Sequence, residues 1–148
     1  MKSVFAVFIA GILLVSAAGI AGGIPKYNAV RVAIDMPATH YGPGDEFWMN
    51  VETLTLSGQP IDCRLVIMLQ IYDSFYLYPG WNSCGPPDFN MDWEDVTVQD
   101  EVRVIFNPVT FPDDLSITID GLQFAAVCAS EHWEIISNID RVYWSIGP

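Results

Sequence analysis

Leu65-Val66-Ile67-Met68-Leu69-Gln70-Ile71 is the stretch on which the fold turns. Its side chains are apolar at every position but Gln70, so an extended chain here is apolar on both faces. Its length suits a strand better than a helix. Such a run reads as a central strand covered from two sides.

On either side of it the pattern changes to alternation with a period of two, the mark of half-buried strands. Upstream, Val30, Val32, Ile34 and Met36 alternate with Arg31, Ala33 and Asp35, and Phe47, Met49 and Val51 alternate with Glu46, Asn50 and Glu52. Downstream the same period recurs in Phe75 to Tyr78, in Val96 and Val98, and in Val102, Val104 and Phe106. It returns from Ile117 to Ala126, where Gly121 marks a bulge or bend, and in Val142, Trp144 and Ile146. Proline and glycine clusters at Met36 to Asp45, Ser57 to Pro60, Asn107-Pro108 and Phe111 to Asp114 separate these runs. Two segments read differently. Pro79 to Asp95 reads as a long irregular loop. Glu131 to Ser137 reads as a short helix, with Ser130 as its cap, Glu131 and Glu134 at its positive end, and Asn138 closing it. The pattern predicts an all-β fold: an antiparallel β-sandwich of seven or eight short strands with one short helix near the C-terminus. Closure into a barrel is the alternative.

Ahead of this domain, Lys2 precedes an apolar run from Val4 to Val15 and a small-residue stretch from Ser16 to Gly23. That is the layout of an export signal over residues 1–23, cut between Ala17 and Gly23. A retained membrane-anchor helix is the rival reading, because Val4 to Ile24 is also long enough to span a bilayer. Either way residues 24–148 form one domain outside the cytoplasm, secreted or held at the cell surface. A chain of 148 residues with Lys and Arg at 6 positions and Asp and Glu at 18 carries a net charge of −12. Such a surface excludes nucleic acid, whose phosphates need clustered cations. It leaves membrane contact to the N-terminal segment alone.

An exported domain oxidises the cysteines that it can bring together. With Asp73-Ser74 as a two-residue hairpin loop, residues 72 and 75 pair, and Cys63 falls opposite Cys84 at a non-hydrogen-bonded site. The Cα separation there, about 4.5 Å, lies within disulfide range. That bridge closes a loop of about 20 residues, worth about 3 kcal/mol. Cys84–Cys128 is the rival pairing, since Pro79-Gly80 interrupts the ladder that the first one needs. Either leaves one thiol single.

Three groups of residues suggest binding. Tyr76, Tyr78 and Trp81 could stack against a carbohydrate or a hydrophobic protein partner, although rings on alternating strands more often serve the core. Asp88, Asn90, Asp92 and Glu94 place oxygen ligands at every second position, as a calcium loop begins. The EF-hand pattern then fails, with Trp93 and Gln99 where it needs glycine and glutamate, so a solvated acidic loop is the plainer reading and no cofactor is required. The edges of the sheets offer a third route, pairing with another copy. For catalysis the inventory is thin: His40 and His132 read as surface residues, and there is no phosphate-binding glycine loop, nucleophile elbow or histidine–cysteine metal spacing.

Tyr41-Gly42-Pro43-Gly44-Asp45-Glu46-Phe47, the run Leu65 to Ile71, Tyr76-Leu77-Tyr78-Pro79-Gly80-Trp81, and Gly121 to Ala126 through Ser137-Asn138-Ile139 to Trp144-Ser145 resemble a module of uncharacterised secreted bacterial surface proteins. The resemblance covers residues 28–147. It implies an immunoglobulin-like sandwich with a surface or adhesive role and no established catalytic residues. The expected function is therefore binding or self-assembly without turnover. A secreted hydrolase acting through a pair of carboxylates is the alternative.

Overall fold

The structure, a computed structural model, describes residues 29–86 and 88–148; the leader expected over 1–23 lies outside them. Along the described chain run strands β1 (Val30–Asp35), β2 (His40–Tyr41), β3 (Glu46–Thr55), β4 (Ile61–Ile71), β5 (Ser74–Leu77) and β6 (Asn82–Gly85). They are followed by β7 (Asp88–Phe89), β8 (Glu94–Val98), β9 (Glu101–Thr110), β10 (Ile119–Ala129) and β11 (Asp140–Ile146). All pairings are antiparallel except that of β2 with β11. The smaller sheet has the order β1-β3-β9, and the larger β2-β11-β10-β4-β5-β6-β7, with β8 also paired to β4.

β4, which holds the apolar run, is the centre of the larger sheet. One side pairs with β10 from Arg64↔Ala129 to Gln70↔Gln123. The other is shared, with β8 beside Ile61 to Leu65 and β5 beside Met68 to Ile71. Leu65 and Ile67 point into a core that also takes Val30, Val32, Met49 and Val51 from the smaller sheet and Phe124 and Trp144 from the larger one. Val66 and Met68 point the other way, into a second cluster with Leu77, Ala125, Trp93 and Trp133. The expectation of a strand covered from both sides is met.

The main core is closed by a run of rings. Trp144 lies 5.3 Å from Phe124, nearly parallel at 3°, and 5.3 Å from Phe47; Phe106 and Trp81 continue the contact at 5.9 and 6.3 Å from Phe124. Tyr41, buried on β2, adds an edge contact to Phe47 at 5.3 Å. Gly121, with φ of 70°, sits where the β10–β11 register shifts between Ile119 and Leu122, so the expected bulge is present.

Three sequence expectations are corrected. No helix forms among the described residues. Glu131 to Ser137 makes a turn followed by extended chain. Ser130 is a cap in a tight turn instead of a helix: its Oγ accepts from the amides of His132 and Glu134 at 3.2 and 3.1 Å. Ile136 then donates to the Cys128 carbonyl and accepts from the amides of Ala29 and Val30. Extended residues are required to reach both neighbours, and these bonds outweigh the local helical preference. Second, the hairpin turns on Tyr72-Asp73, so Ile71 pairs with Ser74 and Cys63 faces Val96 of β8, not Cys84. Third, Pro79 to Asp95 is not wholly irregular, since it contains β6 and β7 and ends at the start of β8.

Phe124→Ala removes the ring that touches four others in the core. It should cost about 3–5 kcal/mol, read as a lower urea midpoint with an unchanged m-value.

Candidate interaction surface

Edges and exposed apolar faces are where a β protein meets partners, and the edges here are treated unequally. The larger sheet has a free edge at β8, which turns Asp95 and Thr97 to water, and otherwise ends on β2 and β7, each of two residues. Strands that short offer little to pair with. β1, an edge of the smaller sheet, is sealed by side chains. Asn138 accepts from the Val32 amide at 2.9 Å and donates to the Val32 carbonyl at 2.8 Å, while the Asp140 carboxylate accepts from the Ile34 amide at 2.7 Å. An amide side chain thus supplies the donor and acceptor that a neighbouring strand would.

β9 is the opposite edge and has ten residues. Its alternation is inverted from Glu101 to Val104, before Ile105 and Phe106 turn back to the core. Val102 pairs with Glu52 and Val104 with Asn50 on the outer face, where the two valines are 60% and 55% exposed. Arg103 and Glu101 are turned to the inner side, opposite Val51 and Thr53. The reason is a local ion cluster: Arg103 bonds Glu94 of β8 at 2.7 Å and Glu101 at 2.8 Å. Burial lowers the Arg103 guanidinium, but the two carboxylates outweigh it and hold the group above its ordinary value. Asp100, in the left-handed region at φ 59°, makes the turn from β8 and accepts from the Thr55 amide at 2.8 Å, which fixes the start of β9 against β3. Further along, Asn107-Pro108 occupies a register shift, where β9 advances from Phe106 to Val109 while β3 goes from Met49 to Phe47. A proline without an N–H is tolerated at such a bulge.

Leu54, 41% exposed, continues the apolar surface across β3 towards Arg31 of β1. Beneath it a shallow groove of about 400 Å³ runs between Arg31, Glu52, Leu54, Asp100 and Val102. In the sequence, Val102 and Val104 read as ordinary strand alternation. The overlooked signal was the pair of charges interleaved with them, Glu101 and Arg103, which demand each other's company.

Apart from Glu94, the residues singled out from sequence lie off the outer face of β9, and most have structural partners. Trp81 stacks on Phe106 at 5.0 Å and meets Tyr78 at 5.7 Å, both packed against the main core. Tyr76 pairs with Leu69 and Ser83 within the sheet. Burial, and then the neighbouring Glu94, push the Tyr78 phenol up. Among the four proposed calcium ligands, Asp92 accepts from the amides of Gly80 and Trp93 at 2.9 and 3.1 Å, and Glu94 is bound to Arg103. Asn90 is exposed, and the Asp88 side chain lies outside what is described. Among the described residues no three His, Cys, Asp or Glu side chains gather as a metal site.

A second groove, of about 660 Å³, opens between β4, β8 and the 130–134 turn, with Asp62, Asp95, Glu131 and His132 on its walls. Asp95 and Glu131 are 82% and 80% exposed. Nearby, Arg64 is gripped between Trp93 and Trp133, at 5.1 and 4.6 Å from their ring centres, so these indoles already hold a cation.

No family model and no curated protein matches the chain. Among solved structures, the sporulation control protein Spo0M of Bacillus subtilis is similar at 16% identity and a TM-score of 0.43, over 81% of this chain and 50% of its own. A β-glucosidase of Listeria innocua in complex with gluconolactone is similar at 11% identity and a TM-score of 0.36, over 80% of this chain and 16% of its own. This chain therefore spans half of the first protein and a small part of the second. Likenesses of that depth carry no argument about activity.

Asn138→Ala exposes both main-chain groups of Val32. It should cost about 1–3 kcal/mol in urea unfolding and speed hydrogen exchange at the Val32 amide.

Proposed function

We propose that this chain is a secreted or cell-surface β-sandwich of immunoglobulin-like kind that works by association and not by turnover. Its contact is the β9 edge, and the partner that fits it best is a second copy. The observation that carries the reading is the inverted start of the strand: β9 is long and open, and over Glu101 to Val104 it is apolar outward and charged inward. Protected edges are built the other way, with charges outward, short strands or side-chain plugs, all of which the other described edges of the two sheets use or approach. Edge pairing would join main-chain groups along Glu101 to Asn107 and cover Val102 and Val104.

The net charge of −12 opposes this contact over longer range, and salt screens it. Association is therefore expected to strengthen as salt is added, the reverse of a contact held by ion pairs.

Sedimentation velocity of the full chain tests the reading. The wild type should move as a dimer or larger species, more so at about 0.5 M salt than at low salt. Val104→Lys should move as a monomer with its fold retained. A wild type that stays monomeric at every concentration and salt level sinks the proposal.

A further inference from the structure

The larger sheet divides the three cysteines. Cys84 belongs to the outer cluster with Val66, Met68 and Leu77, whereas Cys63 and Cys128 are both in the main core. The parity of β4 dictates this. Cys63, Leu65 and Ile67 share one face, and Leu65 is the direct partner of Cys128 on β10. Cys63 and Cys128 are therefore diagonal neighbours on the same face of two adjacent antiparallel strands. All three are thiols in the structure.

We propose that Cys63 and Cys128 form the disulfide of this domain, and that Cys84 is the single thiol left over. Both side chains are buried in the same core cluster, on one face of the sheet and one diagonal step apart in the β4–β10 ladder. Diagonal positions lie about 7–8 Å apart in a flat ladder, slightly beyond ordinary disulfide reach. This pair sits where the ladder ends: β10 stops at Ala129, and Cys63 is the third residue of β4. A strand end can close by the remaining distance more readily than a strand centre. The pairing Arg64↔Ala129 holds β4 and β10 in register while the sulfurs approach, and Cys63↔Val96 keeps β4 against β8 on its other side.

The two thiols differ in access, which orders the chemistry. Cys63 borders the groove beside Asp62 and Arg64, and Cys128 is fully buried behind it. Hydrogen bonding from Cys128 holds the Cys63 thiol below its ordinary value, whereas the Cys128 thiol is raised. The co-reactant is a small-molecule disulfide or a thiol–disulfide exchange protein. The Cys63 thiolate attacks one of its sulfurs, breaks that S–S bond and expels one thiolate, leaving a mixed disulfide on Cys63. Cys128 then gives up its proton and attacks the Cys63 sulfur, which expels the second thiolate. Two protein thiols are oxidised, and one external disulfide is reduced to two thiols. This inference is independent of the association reading, because it concerns the interior and not the β9 edge.

The test treats the full chain with glutathione disulfide. Remaining thiols are alkylated in denaturant, and peptic fragments are mapped by mass spectrometry. The expected result is a linked pair of fragments carrying Cys63 and Cys128, with alkylation at Cys84 alone and a chain lighter by two hydrogen atoms. Oxidation should also raise the melting temperature of the wild type and of Cys84→Ser, but not that of Cys63→Ser. Three alkylated cysteines, or an intramolecular link through Cys84, would overturn the assignment; mapping of the unmutated chain decides this even if a variant fails to fold.

Discussion

The antiparallel register of β4 against β10 is the constraint from which most of this molecule follows. With Leu65 opposite Cys128 and Met68 opposite Ala125, every odd residue of β4 from Cys63 to Ile67 faces the main core and every even one from Arg64 to Met68 faces the outer cluster. A slip of one residue would send Leu65 and Ile67 outward and place Arg64 in the core. The register thus sets Arg64 between Trp93 and Trp133, brings Cys63 to Cys128, and leaves Cys84 across the sheet. Burial on both faces makes it hard to alter.

The smaller sheet is held more lightly, and its two edges show what that permits. β1 is tied to the rest of the molecule by Asn138 and Asp140, whose side chains substitute for a fourth strand. β9 has no such partner among the described contacts and depends on β3, on the Asp100 turn and on the Arg103 ion cluster. Turning Arg103 inward satisfies Glu94 and Glu101 but leaves Val102 and Val104 facing water. In an isolated domain the two valines stay in water, whereas a domain that pairs along this edge buries them.

Much of the fold was legible in the chain. The apolar run from Leu65 to Ile71 named the central strand, alternation located β1, β3, β10 and β11, and Gly121 marked its bulge. The features that escaped depend on non-local bonds or on one-residue choices. Ser130 with Glu131 and Glu134 is a sound helix start, but Ile136 has partners on both β10 and β1 that only extended chain can reach. The hairpin could turn on Asp73-Ser74 or one residue earlier, and local composition scarcely separates them, yet the difference decides which residues Cys63 meets. The interaction surface was hidden because alternation reports that two faces differ and not which one is buried. Only the placement of Glu94 beside Arg103 settles this for β9.

The central claim is that the β9 edge is open and β1 is closed, and amide hydrogen exchange read residue by residue at rising protein concentration tests it most directly. The account predicts that amides between Glu101 and Asn107 gain protection as concentration rises, while those of Val32 and Ile34 stay slow throughout. Rapid exchange along β9 at every concentration, or protection that grows along β1 instead, would contradict it.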